Sequence, residues 1–276
     1  MTWGEDIAPP KVAITPGCWP RIALRLCLLA PLVFGGLAVM LVLRLVERPL
    51  FGLRRPVTPY LTQGVCRAAL VIIGLRLHVR GTPMTKRGGI VANHASWLDI
   101  FALNAADRVY FVSKAEVAAW PGIGWLARAT GTVFIRRDKR ESALHKLLFE
   151  ARLRVGHRLL FFPEGTSSDS QRVLPFKSTL FAAFFAPALR DVLHIQPVSV
   201  TYSAPDGQDK RLYGWWGSMD FGTHLLVVLA QSRRGRVDLM FHPELEVASF
   251  ANRKDLAVAA EKAVRQGFDA AHEPAL

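Results

Sequence analysis

Acidic side chains and thiols are scarce in this chain. Asp and Glu number 22 against 35 Lys and Arg, a formal charge of +13, and this excess points to an anionic partner, either nucleic acid or an acidic membrane face. The three cysteines, Cys18, Cys27 and Cys66, are odd in number, crowd the first quarter and lack metal-ligand spacing, so neither a disulfide scaffold nor a zinc site is expected. A Gly-x4-Gly-Lys phosphate loop is missing, which leaves nucleotide hydrolysis without support. No heptad, collagen or low-complexity repeat occurs, and a hydrophobic content of 51% excludes disorder as the main state.

Charge is also absent from Leu26 to Leu43, an 18-residue run, LCLLAPLVFGGLAVMLVL. Arg21 and Arg25 precede it, and Arg44, Arg48, Arg54 and Arg55 follow it. About 20 apolar residues span a bilayer core, and arginine stems that snorkel lengthen the usable span. A membrane-anchoring helix, spanning or half-inserted, is the expectation; a buried core helix is the alternative. A cleaved signal peptide fits poorly, because the run exceeds the usual ~7–15-residue apolar core and no small-x-small site follows. Pro31 and Gly35-Gly36 offer a kink, so a re-entrant hairpin is a further form. Basic residues are denser on the C-terminal side, which predicts the inner (cytoplasmic) membrane, with the bulk of the chain facing the cytoplasm. Pro49 to Pro59 reads as a connector, and Val65 to Val79 as a surface-lying helix leading into a strand. The chain thus divides into a membrane-associated region, 1–80, and a globular domain, 81–276.

From about Gly81 short apolar runs alternate with helical periodicity. Strands are expected at Gly89–Ala92, Val109–Val112, Val133–Ile135, Arg158–Phe162, Leu193–Tyr202 and Arg236–Phe241. Leu144, Leu147, Leu148, Ala151 and Val155 suggest one apolar helix face; Leu256, Ala260, Ala263 and Val264 suggest another, with Asn252 as its N-cap. The alternation argues for an α/β fold, a layered sheet flanked by helices.

Two segments carry candidate chemistry. Asn93-His94-Ala95-Ser96-Trp97-Leu98-Asp99 follows a strand. On one continuous helix His94 and Asp99 would diverge by about 140°. They converge if His94 lies in the strand-to-helix turn and Asp99 on the first helical turn. A carboxylate on one imidazole nitrogen then fixes the tautomer and leaves the other as a general base. The second segment, Phe161-Phe162-Pro163-Glu164-Gly165-Thr166, is a turn at a strand end, where backbone amides and the Thr166 hydroxyl can meet a ligand. Taken singly, each segment is better explained as an ordinary surface, capping or polar turn.

Together they resemble a family. Asn93-His94-x4-Asp99, Gly131-Thr-Val-Phe134-Ile135-Arg-Arg137, Phe162-Pro163-Glu164-Gly165-Thr166 and Pro197 follow the order of the four blocks of the glycerolipid acyltransferases, over roughly residues 80–205. The closest branch is 1-acylglycerol-3-phosphate acyltransferase, and the N-terminal apolar run suits it. The resemblance implies that His94 is the base and Asp99 its orienter. It further implies that Arg137 contacts a phosphate or head group, that Glu164, Gly165 and Thr166 bind the acceptor, and that Pro197 shapes a donor or structural region. The chain departs from the family where Arg136 replaces a frequent Asp, Ser167 replaces a frequent Arg, and Thr179 replaces a common Gly. Loss of a bidentate guanidinium at 167 weakens phosphate recognition. Gly165-Thr-Ser-Ser-Asp169 through Leu174-Pro-Phe-Lys177 looks like the lyso-ornithine lipid acyltransferase branch.

The expected reaction moves a fatty acyl group from a thioester on coenzyme A or acyl carrier protein to a lyso-lipid hydroxyl, with 1-acylglycerol-3-phosphate ranked first and lyso-ornithine lipid second. His94 would deprotonate the hydroxyl, and backbone amides after His94 are candidate donors to the oxyanion. Neither a metal nor an organic cofactor is expected. The partners expected are a membrane lipid, the lyso-lipid acceptor and the acyl carrier, and not nucleic acid. Two readings of another class, a nucleic-acid-binding protein and a non-catalytic membrane-surface scaffold, also account for the charge. Trp215-Trp216 fits an interfacial anchor or core packing equally.

Overall fold

The computed structural model describes residues 3–135, 142–187 and 189–272. Two antiparallel helices open the fold, α1 (Trp19–Phe51) and α2 (Thr58–Ile73). The apolar run lies inside α1, which continues through Pro31. The chain turns back at residues 52–57, so the connector is about half as long as Pro49–Pro59, and Pro49 is helical. Gly36 permits the close crossing: a Cβ there would stand 2.8 Å from Val65 Cγ2.

The C-terminal end of α1 also caps α2. Buried Glu47 accepts hydrogen bonds from the Val57 amide (2.6 Å), the Thr58 amide (2.9 Å) and Thr58 Oγ1 (2.8 Å), and pairs with Arg44 at 3.2 Å. Carboxylates suit helix N-termini because the first amides there lack intrahelical partners. At the other end of the hairpin Arg25 donates to the carbonyls of Leu229 and Gln231. These contacts lay α1 along the domain. Its outer side nevertheless stays bare: only 11% of its most apolar 18-residue window is buried, and Leu24, Leu28, Val42, Leu45, Val46 and Leu50 face outward.

The sheet follows. Its strands are β1 (Leu75–Arg80), β2 (Gly88–Ala92), β3 (Tyr110–Lys114), β4 (Val133–Ile135), β5 (Leu159–Phe161), β6 (His194–Ser203), β7 (Gly235–Phe241) and β8 (Leu245–Glu246). Their order is β1-β7-β6-β2-β5-β3-β4, with β8 on β6. All neighbours are parallel except β6, which runs against β7 and β8. β1 therefore draws part of the N-terminal 80 residues into the sheet. β8 and the pairing of β1 were not read from the sequence, because β8 is two residues long and β1 alternates Arg76, His78 and Arg80 outward as an edge strand.

Pro197 sits in an interior strand, where proline is normally excluded for want of an N–H. Its carbonyl accepts from His242 N at 3.0 Å, so its nitrogen faces the same edge, where the ladder breaks between β7 and β8. The missing donor falls in that gap.

Helices α3 (Leu98–Ala106) and α6 (Phe221–Ala230), with α1 and α2, share one core with Ile90, Ala92, Val198 and Val200. Helices α5 (Ser142–Arg154) and α7 (Arg253–His272) share the other with Val91, Leu159, Phe161 and Ile195. The alternation of Ile90 and Ala92 against Val91 is the two-residue period of a strand buried on both faces. Short α4 (Ile123–Thr130) leads into β4. Asn252 caps α7 as expected, accepting from the amides of Lys254 and Asp255. The expected face of α5 needs correction. Leu147 and Leu148 are exposed, and Phe149 and Leu153 point inward, because the sheet lies on the side of α5 one residue round from the expected stripe. Trp216 is 2% exposed and belongs to the core rather than to an interface.

Candidate active site

β2 ends at Ala92, the chain turns through residues 93–97, and α3 begins at Leu98. Asn93 fastens this turn to β6, donating to Val200 O and accepting from Val200 N, each at 2.8 Å. Ser168 N donates to His94 O, and Trp215 N to Ala95 O, both at 2.9 Å. His94 thus stands in the turn and Asp99 on the first turn of α3, the arrangement in which they converge.

His94 Nδ1 lies 2.7 Å from Asp99 Oδ2. The same oxygen accepts the amides of Ala95 (2.8 Å) and Ser96 (3.0 Å), and the Tyr202 hydroxyl donates to Oδ1 at 2.8 Å. Asp99 is fully buried, whereas the His94 side chain is 20% exposed. An oxygen already accepting two N–H groups assigns Nδ1 as the third donor, so Nε2 carries the lone pair. The imidazole stacks on Phe162, with centroids 4.0 Å apart and planes 10° apart, which fixes the ring plane.

One expectation is narrowed here. The amides of Ala95 and Ser96 are turned onto Asp99, so these two do not serve the oxyanion. The carboxylate needed to orient His94 is the nearer acceptor and captures both.

The third block reaches the same end of the sheet, because β5 lies beside β2 and runs parallel to it. Gly165 takes φ +74°, a conformation that glycine adopts without strain, and its amide closes a turn onto Phe162 O at 3.1 Å. Glu164 is 2% exposed, and neither of its oxygens has a well-formed hydrogen bond. Burial pushes its carboxyl well above the usual carboxylate range and the Asp99 charge adds to this, while the nearby amides of Leu174 and His94 and the Arg265 charge offset it in part. Thr166 is not wholly free: its Oγ1 accepts from Trp3 N at 3.4 Å. Ser167, at the position where the family often has arginine, is buried.

The structure therefore brings His94, Asp99, Glu164, Gly165 and Thr166 to one end of the sheet. Arg137, with Arg136, Lys139 and Arg140, lies outside the described residues. Pro197 is a strand residue at the ladder break described above. Tyr202 and Phe162 are the partners that motif reading missed. Tyr202 stands 103 positions from Asp99, and no spacing rule could have joined them. Among the described residues no three His, Cys, Asp or Glu side chains converge as a metal site. Cys66 is buried in the α2 packing, its thiol pushed up to about 12 by burial, far from a nucleophile's range.

Comparison with known proteins agrees with this geometry. Residues 76–201 match the family described as Acyltransferase. The lyso-ornithine lipid O-acyltransferase of Rhodobacter capsulatus is 56% identical over 266 residues, 96% of each chain. The 1-acyl-sn-glycerol-3-phosphate acyltransferase of Neisseria gonorrhoeae is 39% identical over 119 residues, 42% of this chain and 46% of that one. The solved 1-acyl-sn-glycerophosphate acyltransferase of Thermotoga maritima superposes with a TM-score of 0.66 over 92% of this chain and 96% of its own, at 21% identity, a likeness of fold. The match over nearly the whole length, added to the motif order, establishes that this chain belongs to the acyltransferase family.

Proposed function

We propose that the protein is a membrane-associated O-acyltransferase whose acceptor is lyso-ornithine lipid. The observation that carries the choice of acceptor is the 56% identity, over 96% of both chains, to a relative of that name. The glycerol-phosphate relative matches over less than half of each chain. A buried serine at 167, in place of a phosphate-clamping guanidinium, supports the same order. The order of the two acceptors is thereby the reverse of that expected from the sequence.

The dyad supports a direct transfer. The acceptor hydroxyl gives its proton to His94 Nε2 as its oxygen bonds to the thioester carbonyl carbon. Asp99, accepting from Nδ1, stabilises the imidazolium that forms. The tetrahedral intermediate collapses with cleavage of the C–S bond, and the imidazolium returns the proton to the departing thiolate. Glu164 and Thr166, with Arg137, would hold the acceptor. A thiolate is a good leaving group, so no protein nucleophile and no bound cofactor are required. The acyl carrier is coenzyme A or acyl carrier protein.

Attachment to the inner membrane would run through the bare side of α1, with the basic domain on the cytoplasmic face. Because α1 packs on α2 at Gly36 and Glu47 and is tied to the end of α6 by Arg25, it would lie within one leaflet as half of a hairpin, with region 1–80 supplying the attachment and 81–276 most of the catalytic domain.

The test is transfer of labelled acyl chains, from each carrier, to lyso-ornithine lipid and 1-acylglycerol-3-phosphate in mixed micelles. A higher kcat/KM for lyso-ornithine lipid is expected. Turnover of 1-acylglycerol-3-phosphate alone would reject the acceptor assignment, and transfer to neither would reject the reaction.

A further inference from the structure

We infer that Tyr202 is a positioning residue for catalysis, the member of β6 that holds the Asp99 carboxylate in place and sets how strongly it draws the proton of His94. This rests on the reading of His94 and Asp99 as the base and its orienter.

Asp99 is buried completely, so every lone pair it presents must find a donor inside the protein. Oδ2 is supplied by the motif itself, through His94 Nδ1 and the amides of Ala95 and Ser96. Oδ1 is supplied from across the sheet, by the Tyr202 hydroxyl at 2.8 Å. The carboxylate is thus gripped at both oxygens from two elements and cannot rotate. β6 touches the motif twice, through the Val200 backbone at Asn93 and through the Tyr202 side chain at Asp99. Neither contact lies in the turn's own sequence, so the turn alone does not define the dyad's geometry.

The donor is dependable. Tyr202 is 3% exposed, and burial next to the Asp99 charge holds its hydroxyl in the protonated form. Other ionisable groups surround the pair. Glu164 faces Asp99 from the turn after β5, with Arg265 of α7 beyond it. Tyr213 packs against Tyr202 with centroids 5.8 Å apart, and Arg25 of α1 acts on Tyr213. None of these groups donates to Oδ1. Removing the Tyr202 hydroxyl therefore leaves one carboxylate oxygen bare, and the negative charge falls more heavily on the oxygen facing Nδ1. That favours the imidazolium over the neutral imidazole that must accept the acceptor's proton.

The experiment compares wild type, Tyr202→Phe, Asp99→Asn and the double variant in mixed micelles, with kcat and KM followed across pH, and His94→Ala alongside. Tyr202→Phe keeps the ring in the core, and near-ultraviolet circular dichroism verifies the fold. A hydrogen bond to a charged group corresponds to a fall of about 10–100-fold in kcat, with the acceptor KM little changed. The acid limb of the pH–rate profile should move to higher pH, and in the Asp99→Asn background Tyr202→Phe should cost far less. An unmoved acid limb, or an equal loss in the Asp99→Asn background, overturns the inference and leaves Tyr202 a packing residue. Wild-type turnover by His94→Ala would instead overturn the assignment of the dyad, a result distinguishable from failure of Tyr202 alone.

Discussion

Helix α1 and the Asn93–Asp99 turn satisfy their needs in opposite ways. In the turn the groups that build the dyad find their partners within the protein: Asp99 has four donors, Asn93 pairs in both directions with Val200, and the His94 ring is clamped by Phe162. Along the outer side of α1 the apolar side chains find almost none, and Leu45 is 76% exposed. A segment whose demands are met internally needs only the fold to function. A helix this apolar and this bare needs a medium outside the protein, and a lipid leaflet is the medium consistent with the family.

The two regions should accordingly fail independently. The largest effect is expected from His94→Ala, which should reduce acyl transfer by about 10²–10⁴-fold while co-sedimentation with anionic vesicles stays unchanged; detachment of this variant would dissolve the distinction. The converse experiment trims the bare face. Changing Leu45, Val46 and Leu50 to Ser together removes about 1.5–3 kcal/mol of apolar burial for each residue that inserts. Vesicle partitioning should fall by an order of magnitude or more, while kcat in detergent micelles is retained.

Glu47→Gln probes the join between the regions. It exchanges a carboxylate that caps α2 for an amide with one acceptor oxygen, and should cost about 1–3 kcal/mol in denaturant unfolding with the dyad's pH profile untouched. A larger effect on kcat than on stability would show that the hairpin is coupled to the site.

The smallest effects are those of pH on stability. His157 is pushed down to about 3 by burial and neighbouring arginines, and His224 to about 4 by burial. Each is held neutral in the fold but takes up a proton at its ordinary value when unfolded. Their contribution is therefore complete above about pH 6.5 and is lost as pH falls toward those lowered values. Glu164 has the opposite sign: its raised value favours the fold at low pH and costs stability as pH rises above the ordinary carboxylate range. Urea midpoints across pH should show the acid-side slope reduced in His157→Phe and the alkaline-side slope reduced in Glu164→Gln. Because all three groups lie outside the hairpin, trimming the α1 face should leave both slopes as they are.

Local chemistry made the strands and the dyad legible. The apolar runs at β2, β5 and β6 mark strands buried on both faces, and the His94-to-Asp99 spacing has one geometry that makes chemical sense, which the turn adopts. What escaped was long-range. Tyr202 meets Asp99 only because β6 lies beside β2, an adjacency not written in either segment. Which amides after His94 are left for an oxyanion was not legible, because a sequence shows that donors exist at a helix start but not which acceptor claims them. The α5 stripe failed for the same reason: leucines at helical spacing show that an apolar face is available, and the sheet decides whether Leu147 or Phe149 turns inward.

The Glu47 cap also bears on the order in which the proposed hairpin would meet lipid. Were α1 to enter lipid ahead of α2, it would carry toward the leaflet a carboxylate whose amide and hydroxyl partners had not yet arrived, and burying such an unpaired charge is costly. Once the chain has folded back, the same carboxylate is enclosed by Val57, Thr58 and Arg44 and no longer resists. On the proposed leaflet attachment the hairpin would close at the water–lipid boundary before entering, so nascent chains truncated before Thr58 should bind membranes less well than chains a few residues longer.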